Sequence, residues 1–232
     1  MSISKNQIVY SILNTIRGGL VSNSEPISNE QLSFTVDIIR AKLVRQDLAK
    51  KRTLSQELIQ TLCVNMNLAD VSDCPCDAVG CTILKSTIPI PPAIEITDKN
   101  LVVSVGPIDL TKPRFNLLPY YRAIYYNPNK FSQSITGAFL HNQYLFVISK
   151  DNKALMLEKV NLQIVLEIPS DASLFSCSGI SCYSDDGRYP ISAAMVPDLQ
   201  SMILGTTLKV EAVAPSDSLS DSKHNLTSNT EQ

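Results

Sequence analysis

The chain has few of the residues and patterns on which catalytic sites depend. Only two of its 232 residues are histidines, and His141 has no companion ligand or carboxylate close to it in sequence. No stretch matches a phosphate-binding glycine loop, a nucleophile elbow or the H-E-x-x-H helix of metalloproteases. A lone histidine in a predicted strand is more often structural than catalytic. We therefore expect a protein that is not an enzyme, with no catalytic residues and no cofactor.

Long apolar runs and a strong charge of either sign are also absent. No run approaches the roughly 18 to 20 apolar residues that cross a bilayer, so we expect no membrane partner. Lys and Arg number 20 against 22 Asp and Glu, and the net charge of -2 favours neither DNA nor membrane as a general partner. The N-terminal segment lacks the small-residue cleavage site of a signal peptide. Without an export signal, free thiols are the expected state of the six cysteines.

The clearest pattern in the chain lies between Ser28 and Leu62. Its apolar positions recur every three or four residues and predict an amphipathic helix. These positions are Leu32, Val36, Ile39 and Leu43, and we expect Phe34 and Ile38 to widen the buried side. Ser28 and Gln31 predict a capping box at the start of this helix. Thr53 and Gln56 repeat that pattern, which predicts a second, short helix that ends near Leu62.

Four regions of the chain are predicted. Residues 1–62 form a helical subdomain. Residues 63–189 alternate polar and apolar positions over short lengths, which predicts a β-rich central body, either a sandwich or a small barrel. Residues 190–214 predict a C-terminal helix that packs on the helical subdomain, and residues 215–232 form an extended polar tail that is flexible or ordered by a partner. The predicted fold class is α+β.

Basic side chains are concentrated on the polar side of the central helix and on the turn after it. We name as the basic elbow Arg40, Lys42, Arg45, Lys50, Lys51 and Arg52. Such side chains can contact nucleic-acid phosphates, so a nucleic-acid-binding module is one alternative function. A solvated face, or one that meets an acidic neighbour, is the simpler interpretation because no recognised nucleic-acid motif is present.

A cluster of tyrosines supplies a second group of interface candidates, Tyr120, Tyr121, Tyr125 and Tyr126. Amphipathic rings in such number are common at subunit interfaces. Burial in an ordinary core is an equally open alternative. Both the tyrosines and the basic elbow are therefore treated as candidate interface residues.

Among the residue types of the chain, the cysteines come nearest to the spacing of a metal-binding site. Four thiolates are available from Cys63, Cys74, Cys76 and Cys81. Structural zinc sites use paired C-x(2–4)-C knuckles, and this spacing matches them imperfectly. A small cysteine-ligated metal-binding protein is thus a further alternative function, beside a disulfide or plain reduced cysteines.

Several short segments of the chain resemble segments of virion structural proteins of the crAss-like bacteriophages that infect Bacteroidales. The resemblance is carried by IVYSILNTIRGG, by RAKLVRQD in the central helix, by the step from there into Thr53 and on to QTL at Gln60, by CTILKST from Cys81, and by the end of the chain from Tyr189 through Asp217. It implies a ring protein of the portal vertex, part of a head-to-tail connector that joins the portal to the tail and lines the DNA passage. No catalytic residue is carried over, because the family motif has a scaffolding role.

The same resemblance implies the partners and the location of the protein. It implies a twelve-fold ring of identical copies, carried in the virion and assembled in the bacterial host cytoplasm. The portal and other connector or tail proteins are the implied neighbours, with only transient, non-specific contact with DNA. A ring repeats one head-to-tail contact until rotation closes it, so each subunit needs two different faces. A nearly neutral chain suits a channel in which DNA must not stick.

Overall fold

Two helices come first in the structure, a computed structural model that describes residues 3–16, 28–50, 53–70, 83–96, 99–109, 111–123, 136–149 and 156–212. Helix α1 spans Lys5–Ile16 and helix α2 spans Asn29–Ala49. The hydroxyl of Ser28 accepts a hydrogen bond from the backbone N–H of Gln31, whose side chain accepts one from the N–H of Ser28. The predicted capping box is confirmed. It fixes the start of α2 because it pairs two backbone donors at the helix end.

The segment after α2 is not the short helix that the sequence predicted. A single 3-10 turn covers Gln56–Leu58 and is capped by Ser55 rather than Thr53. Strand β1 then spans Gln60–Leu68. Its residues Leu62, Val64 and Met66 are buried at every second position, a spacing that a strand satisfies and a helix does not. The local capping pattern was therefore outweighed by this alternation.

Seven strands form one sheet in the order β5-β9-β1-β2-β8-β7-β6. Besides β1 they are β2 (Ile83–Ser86), β5 (Val102–Pro107), β6 (Asn116–Leu117), β7 (Gly137–His141), β8 (Tyr144–Ile148) and β9 (Lys159–Ile164). Neighbours in this sheet pair antiparallel, except for β6 and β7. The N–H of Phe115 donates to the carbonyl of Val105 at 2.8 Å, which brings the two ends of the sheet together. The α+β class is confirmed, with a nearly closed, barrel-like sheet.

Two short hairpins stand outside this sheet. Strand β3 (Glu95–Ile96) pairs with β4 (Lys99–Asn100), and β10 (Ser176–Cys177) pairs with β11 (Ile180–Ser181). The β10–β11 hairpin turns through Ser178 and Gly179, both at positive φ, as a two-residue hairpin loop requires. This hairpin lies beside β1.

Two further helices follow. The short helix α3 spans Tyr120–Ala123, and α4 spans Val196–Ala212. The predicted C-terminal helix thus begins at Val196 rather than Pro190, after a 3-10 turn at Ala193–Met195. Pro197 in its first turn is compatible with a helix start, because no backbone N–H is needed there. Within the described ranges, no helix is long and apolar enough to span a bilayer.

The core has two main parts. The helical part joins α1, α2 and α4 through residues that include Ile8, Ile12, Leu32, Val36, Val44, Leu199 and Ile203. The second part fills the sheet and includes Leu62, Val64, Val105, Leu145, Val160 and Leu162. Ile94 and Val165 belong to the helical part although they adjoin the sheet, so they join the two layers. The division at residues 62, 189 and 214 stays a prediction, and the predicted tail 215–232 lies outside the described residues.

Candidate functional site

The structure divides the basic elbow. Arg40 is fully buried, so the prediction that it lies on the polar side of α2 is wrong, and its guanidinium cannot reach a phosphate in the folded chain. Lys42, Arg45 and Lys50 are exposed. Arg45 pairs with Glu167 across 2.6 Å. Lys51 and Arg52 lie outside the described residues.

Arg40 instead joins α2 to two distant segments. Its Nε donates to the carbonyl of Pro190 at 2.6 Å, and its Nη1 donates to the carbonyl of Leu166 at 2.9 Å. The guanidinium carbon lies 5.7 Å from the ring centroid of Tyr189. Burial lowers the pKa of Arg40, and the neighbouring Tyr189 and Asp37 act in the opposite direction. A lysine could not make the same two contacts, because only arginine presents donors in a rigid planar fork.

Asp37 completes this arrangement from the same helix. Its Oδ2 lies 2.8 Å from Nζ of Lys5, and its Oδ1 accepts a hydrogen bond of 2.7 Å from the phenol of Tyr189. Burial raises the pKa of Tyr189 well above 10, and the charge of Asp37 adds to that rise. The phenol therefore stays protonated and able to donate.

We name Lys5, Asp37, Arg40 and Tyr189 the buried polar cluster. All four residues are more than nine-tenths buried, so the cluster offers almost no surface to a ligand. Buried charges are tolerated when they are paired and hydrogen-bonded, and removing one partner strands the other. The cluster therefore fixes α1, α2 and the segment before α4 relative to one another.

Sequence reasoning missed the buried polar cluster, although one signal for it was present. Val36, Arg40 and Val44 recur at steps of four and so lie on the same side of α2. Val36 and Val44 are both fully buried. An arginine between two buried valines on one helix side indicates a buried guanidinium. The partners of this guanidinium cannot be predicted from neighbouring positions, because they are distant in sequence.

Two tyrosines of the predicted cluster fall within the described residues, and both lie on the outside of the sheet. Tyr120 and Tyr121 are 44% and 64% exposed in α3. The ring of Tyr120 stacks on His141 with centroids 3.9 Å apart. Beneath α3, Phe139 stacks on Phe146 at 5.1 Å. Tyr125 and Tyr126 lie outside the described residues.

The rings of Tyr120 and Tyr121 make an exposed surface above Phe139 and His141. We name it the aromatic face and define it as Tyr120 and Tyr121. The small buried cluster of Ala123, Phe139 and Phe146 supports the surface from below. The face is therefore held by packed side chains rather than by a loop alone.

A second exposed apolar surface lies on α2. The prediction that Phe34 and Ile38 widen the buried side is wrong, because they are 57% and 50% exposed. Helix α2 packs through Asp37, Arg40 and Ala41 instead, which turns Phe34 and Ile38 towards solvent. Residues four apart are neighbours on a helix surface, so Phe34, Ile38 and the exposed Lys42 form a continuous α2 strip.

The cysteines are arranged differently from the prediction. Cys63 and Cys177 form a disulfide with Cα atoms 5.4 Å apart, so the expectation of free thiols is wrong for this pair. Cys63 on β1 and Cys177 on β10 meet because their strands are neighbours, and Cys63 therefore has no thiolate to offer a metal. Cys182 is a half-buried free thiol.

The rest of the predicted metal site cannot be placed. Cys74, Cys76 and Cys81 lie outside the described residues. In the ranges that the structure covers, no three His, Cys, Asp or Glu side chains are grouped so that they could hold a metal ion. The described residues thus offer exposed apolar surfaces, among them the α2 strip and the aromatic face, rather than a group that could hold a metal ion.

Comparison with known proteins shows a match along almost the whole chain. The family described as Phage tail ring protein 2, of crAss-like phages, matches residues 7–228. The chain belongs to this family. It is also 24% identical over 227 residues to Ring protein 2 of Bacteroides phage crAss001, which covers 95% of this chain and 97% of that relative. The predicted relation to crAss-like virion proteins is confirmed, and the chain is a structural ring protein of a bacteriophage.

Proposed function

We propose that the chain forms one ring of a phage head-to-tail connector, where it joins the portal to the tail, surrounds the DNA passage and transforms no substrate. The observation that carries this proposal is the family match over residues 7–228. A relative of nearly the same length bears the name Ring protein 2. A closed ring repeats one contact between two unlike faces of each subunit.

The α2 strip and the aromatic face are our candidates for these two faces. Both expose large apolar side chains on secondary structure that is fixed from behind, the first by the buried polar cluster and the second by Phe139 and Phe146. Aromatic residues are enriched at the centres of protein interfaces. Lys42 at one end of the α2 strip suits a neighbour rich in tyrosine, because an ammonium group is attracted to the face of an aromatic ring.

The proposed ring has twelve copies, as the resemblance implies. The remaining exposed cations of the elbow, Arg45 and Lys50, are proposed to meet the portal or another connector protein, together with Lys51, Arg52, Tyr125 and Tyr126. A net charge of -2 gives a channel that does not retain DNA electrostatically, so contact with DNA is transient and non-specific. Assembly takes place in the host cytoplasm before the ring becomes part of the virion.

The position and copy number of the chain in intact particles test this function. Electron cryomicroscopy of the virion should show a closed ring of this chain between portal and tail, with α2 of each copy against α3 of the next. Particles that mass spectrometry shows to lack the protein are the control, and the density of this ring should be missing from them. A chain absent from virions, or bound to the particle as isolated monomers away from the portal vertex, would contradict the proposal.

A further inference from the structure

The free thiol of Cys182 lies next to the disulfide. Cys177 pairs with Ile180 across the β10–β11 hairpin, and the N–H of Cys182 donates to the carbonyl of Phe175 at 2.9 Å. This register makes Cys182 a diagonal neighbour of Cys177. Their sulfur atoms are 4.0 Å apart. Cys177 is therefore bonded to one sulfur and close to another.

The three sulfur-bearing residues differ in exposure. Cys63 on β1 is only 6% exposed, whereas Cys177 and Cys182 are half-buried. Cys182 also lines an open surface groove, together with Gln60 and Arg188. The groove leaves the free thiol open to solvent, while Cys63, the partner of Cys177 in the disulfide, is covered by the β10–β11 hairpin.

We propose that Cys182 exchanges with Cys63 as the disulfide partner of Cys177. The thiolate of Cys182 attacks Sγ of Cys177, and the new sulfur–sulfur bond forms as the bond to Cys63 breaks. The electron pair leaves on Sγ of Cys63, which takes up a proton equivalent to the one that Cys182 released. The step is an isomerisation with no net oxidation, so it needs no outside oxidant or reductant.

The exchange changes what the disulfide holds together. In the first state it fixes the β10–β11 hairpin to β1 across 114 positions of the chain. In the second state it closes a loop of only five positions within the hairpin. The hairpin carries Ile180, 75% exposed, and the 3-10 turn before it ends at Leu174, 69% exposed. Exchange thus removes the covalent link between the β10–β11 hairpin, with its exposed Ile180, and strand β1. This change is separate from ring formation.

Disulfide mapping on the full-length protein tests this exchange. Cys74, Cys76 and Cys81 are replaced by serine, and the oxidised protein is incubated at about pH 8.5, near the ordinary thiol pKa. Free thiols are then blocked by alkylation before tryptic digestion. Trypsin leaves Cys63 in peptide 53–85 and both other cysteines in peptide 160–188, so the two isomers give different masses.

The expected result is a time-dependent loss of the cross-linked peptides. Peptide 160–188 with an internal disulfide should appear together with alkylated Cys63, at a rate that rises about tenfold per pH unit below the thiol pKa. An exchanged fraction that stays below about one chain in a hundred after a day would overturn the proposal, because contacting thiols and disulfides exchange within hours at the latest.

Two variants separate proximity from the mere presence of a thiol. Cys182→Ser removes the attacking group and should keep the original disulfide. Ser181→Cys combined with Cys182→Ser moves the thiol by one position, and the Ser181 hydroxyl points to the carbonyls of Ser173 and Tyr183 rather than to Cys177. Circular dichroism checks that both variants fold. Exchange in the displaced-thiol variant at the rate of the Cys182 chain would equally overturn the proposal.

Discussion

The carboxylate of Asp37 accepts a hydrogen bond of 2.7 Å from the phenol of Tyr189, although 152 positions separate the two residues. The other oxygen of the same carboxylate lies 2.8 Å from the ammonium group of Lys5. One acidic side chain therefore connects α1, α2 and the segment before α4.

Replacing Asp37 by Ala should destabilise the protein by about 3–5 kcal/mol, because it leaves the buried ammonium of Lys5 without its carboxylate. Urea unfolding followed by circular dichroism measures the change. Glu167→Ala is the matched control, since it breaks an ion pair whose side chains are 44% and 38% exposed. Such exposed pairs contribute about 0–1 kcal/mol. Equal losses in the two variants would show that burial of the Asp37 pair does not matter.

Arg40→Lys should also be costly although it keeps the charge. A single ammonium cannot donate to both Pro190 and Leu166 in the geometry of the guanidinium, so at least one buried carbonyl loses its partner. We expect a loss of about 2–4 kcal/mol in the free energy of unfolding. Arg45→Lys, at an exposed position of the same helix, should stay within about 0.5 kcal/mol. A tolerated lysine at position 40 would mean that the fork geometry is dispensable.

Tyr189 should make the protein sensitive to alkaline pH. Its folded-state pKa is raised by burial well above 10, whereas the unfolded chain releases the phenol proton near pH 10. The stabilisation is thus fully present below about pH 10 and is lost as pH rises further, with a slope of about 1.4 kcal/mol per pH unit. Tyr189→Phe should remove that part of the slope above pH 10, measured by urea unfolding as a function of pH. Tyr121→Phe, at an exposed ring, is the control and should leave the slope as it was.

Loss of the disulfide should destabilise the fold more than loss of the free thiol. Cys63→Ser removes a link between residues 114 positions apart, and the unfolded chain gains conformational freedom as a result. The expected cost is about 2–5 kcal/mol by urea unfolding without reductant. Cys182→Ser keeps the disulfide and serves as the control. A Cys63→Ser variant as stable as that control would contradict the expectation.

Charge on the α2 strip should prevent ring formation without unfolding the subunit. Phe34→Glu places a carboxylate at the centre of the proposed contact, while its exposed position keeps the change in stability within about 0.5 kcal/mol. Complementation of a phage lacking the gene, with particles counted by electron microscopy, measures assembly. Tyr10→Glu is the matched control, at a 69% exposed ring on α1 that lies outside the strip. Normal particles from Phe34→Glu would remove the α2 strip from the interface.

Local patterns in the sequence predicted the parts of the fold that depend on near neighbours. The capping box at Ser28 and the burial of Leu32, Val36, Ile39 and Leu43 were predictable because these patterns repeat within one or two helical turns. The change to a β-rich body was readable from period-two alternation. The pattern at Thr53 misled because the side-chain alternation of the following strand outweighed it, and only a 3-10 turn capped by Ser55 formed.

The candidate site depended more on contacts between distant positions. Arg40 finds its acceptors 126 and 150 positions away, so its place between Val36 and Val44 could indicate its burial but not its partners. The disulfide partners lie on strands that only the folded chain brings together. Phe34 and Ile38 were assigned to the core because they are apolar, whereas the polar residues Asp37 and Arg40 took the buried positions.

The meeting of the two end strands through Phe115 and Val105 limits how copies of this protein can grow into larger objects. A sheet with open margins can accept strand after strand from other molecules and extend into a fibre without end. Here the two edge strands face one another, so the addition of strands from other molecules to the sheet is restricted. Recognition between copies is left to side chains, whose geometry can stop addition after a fixed number of subunits.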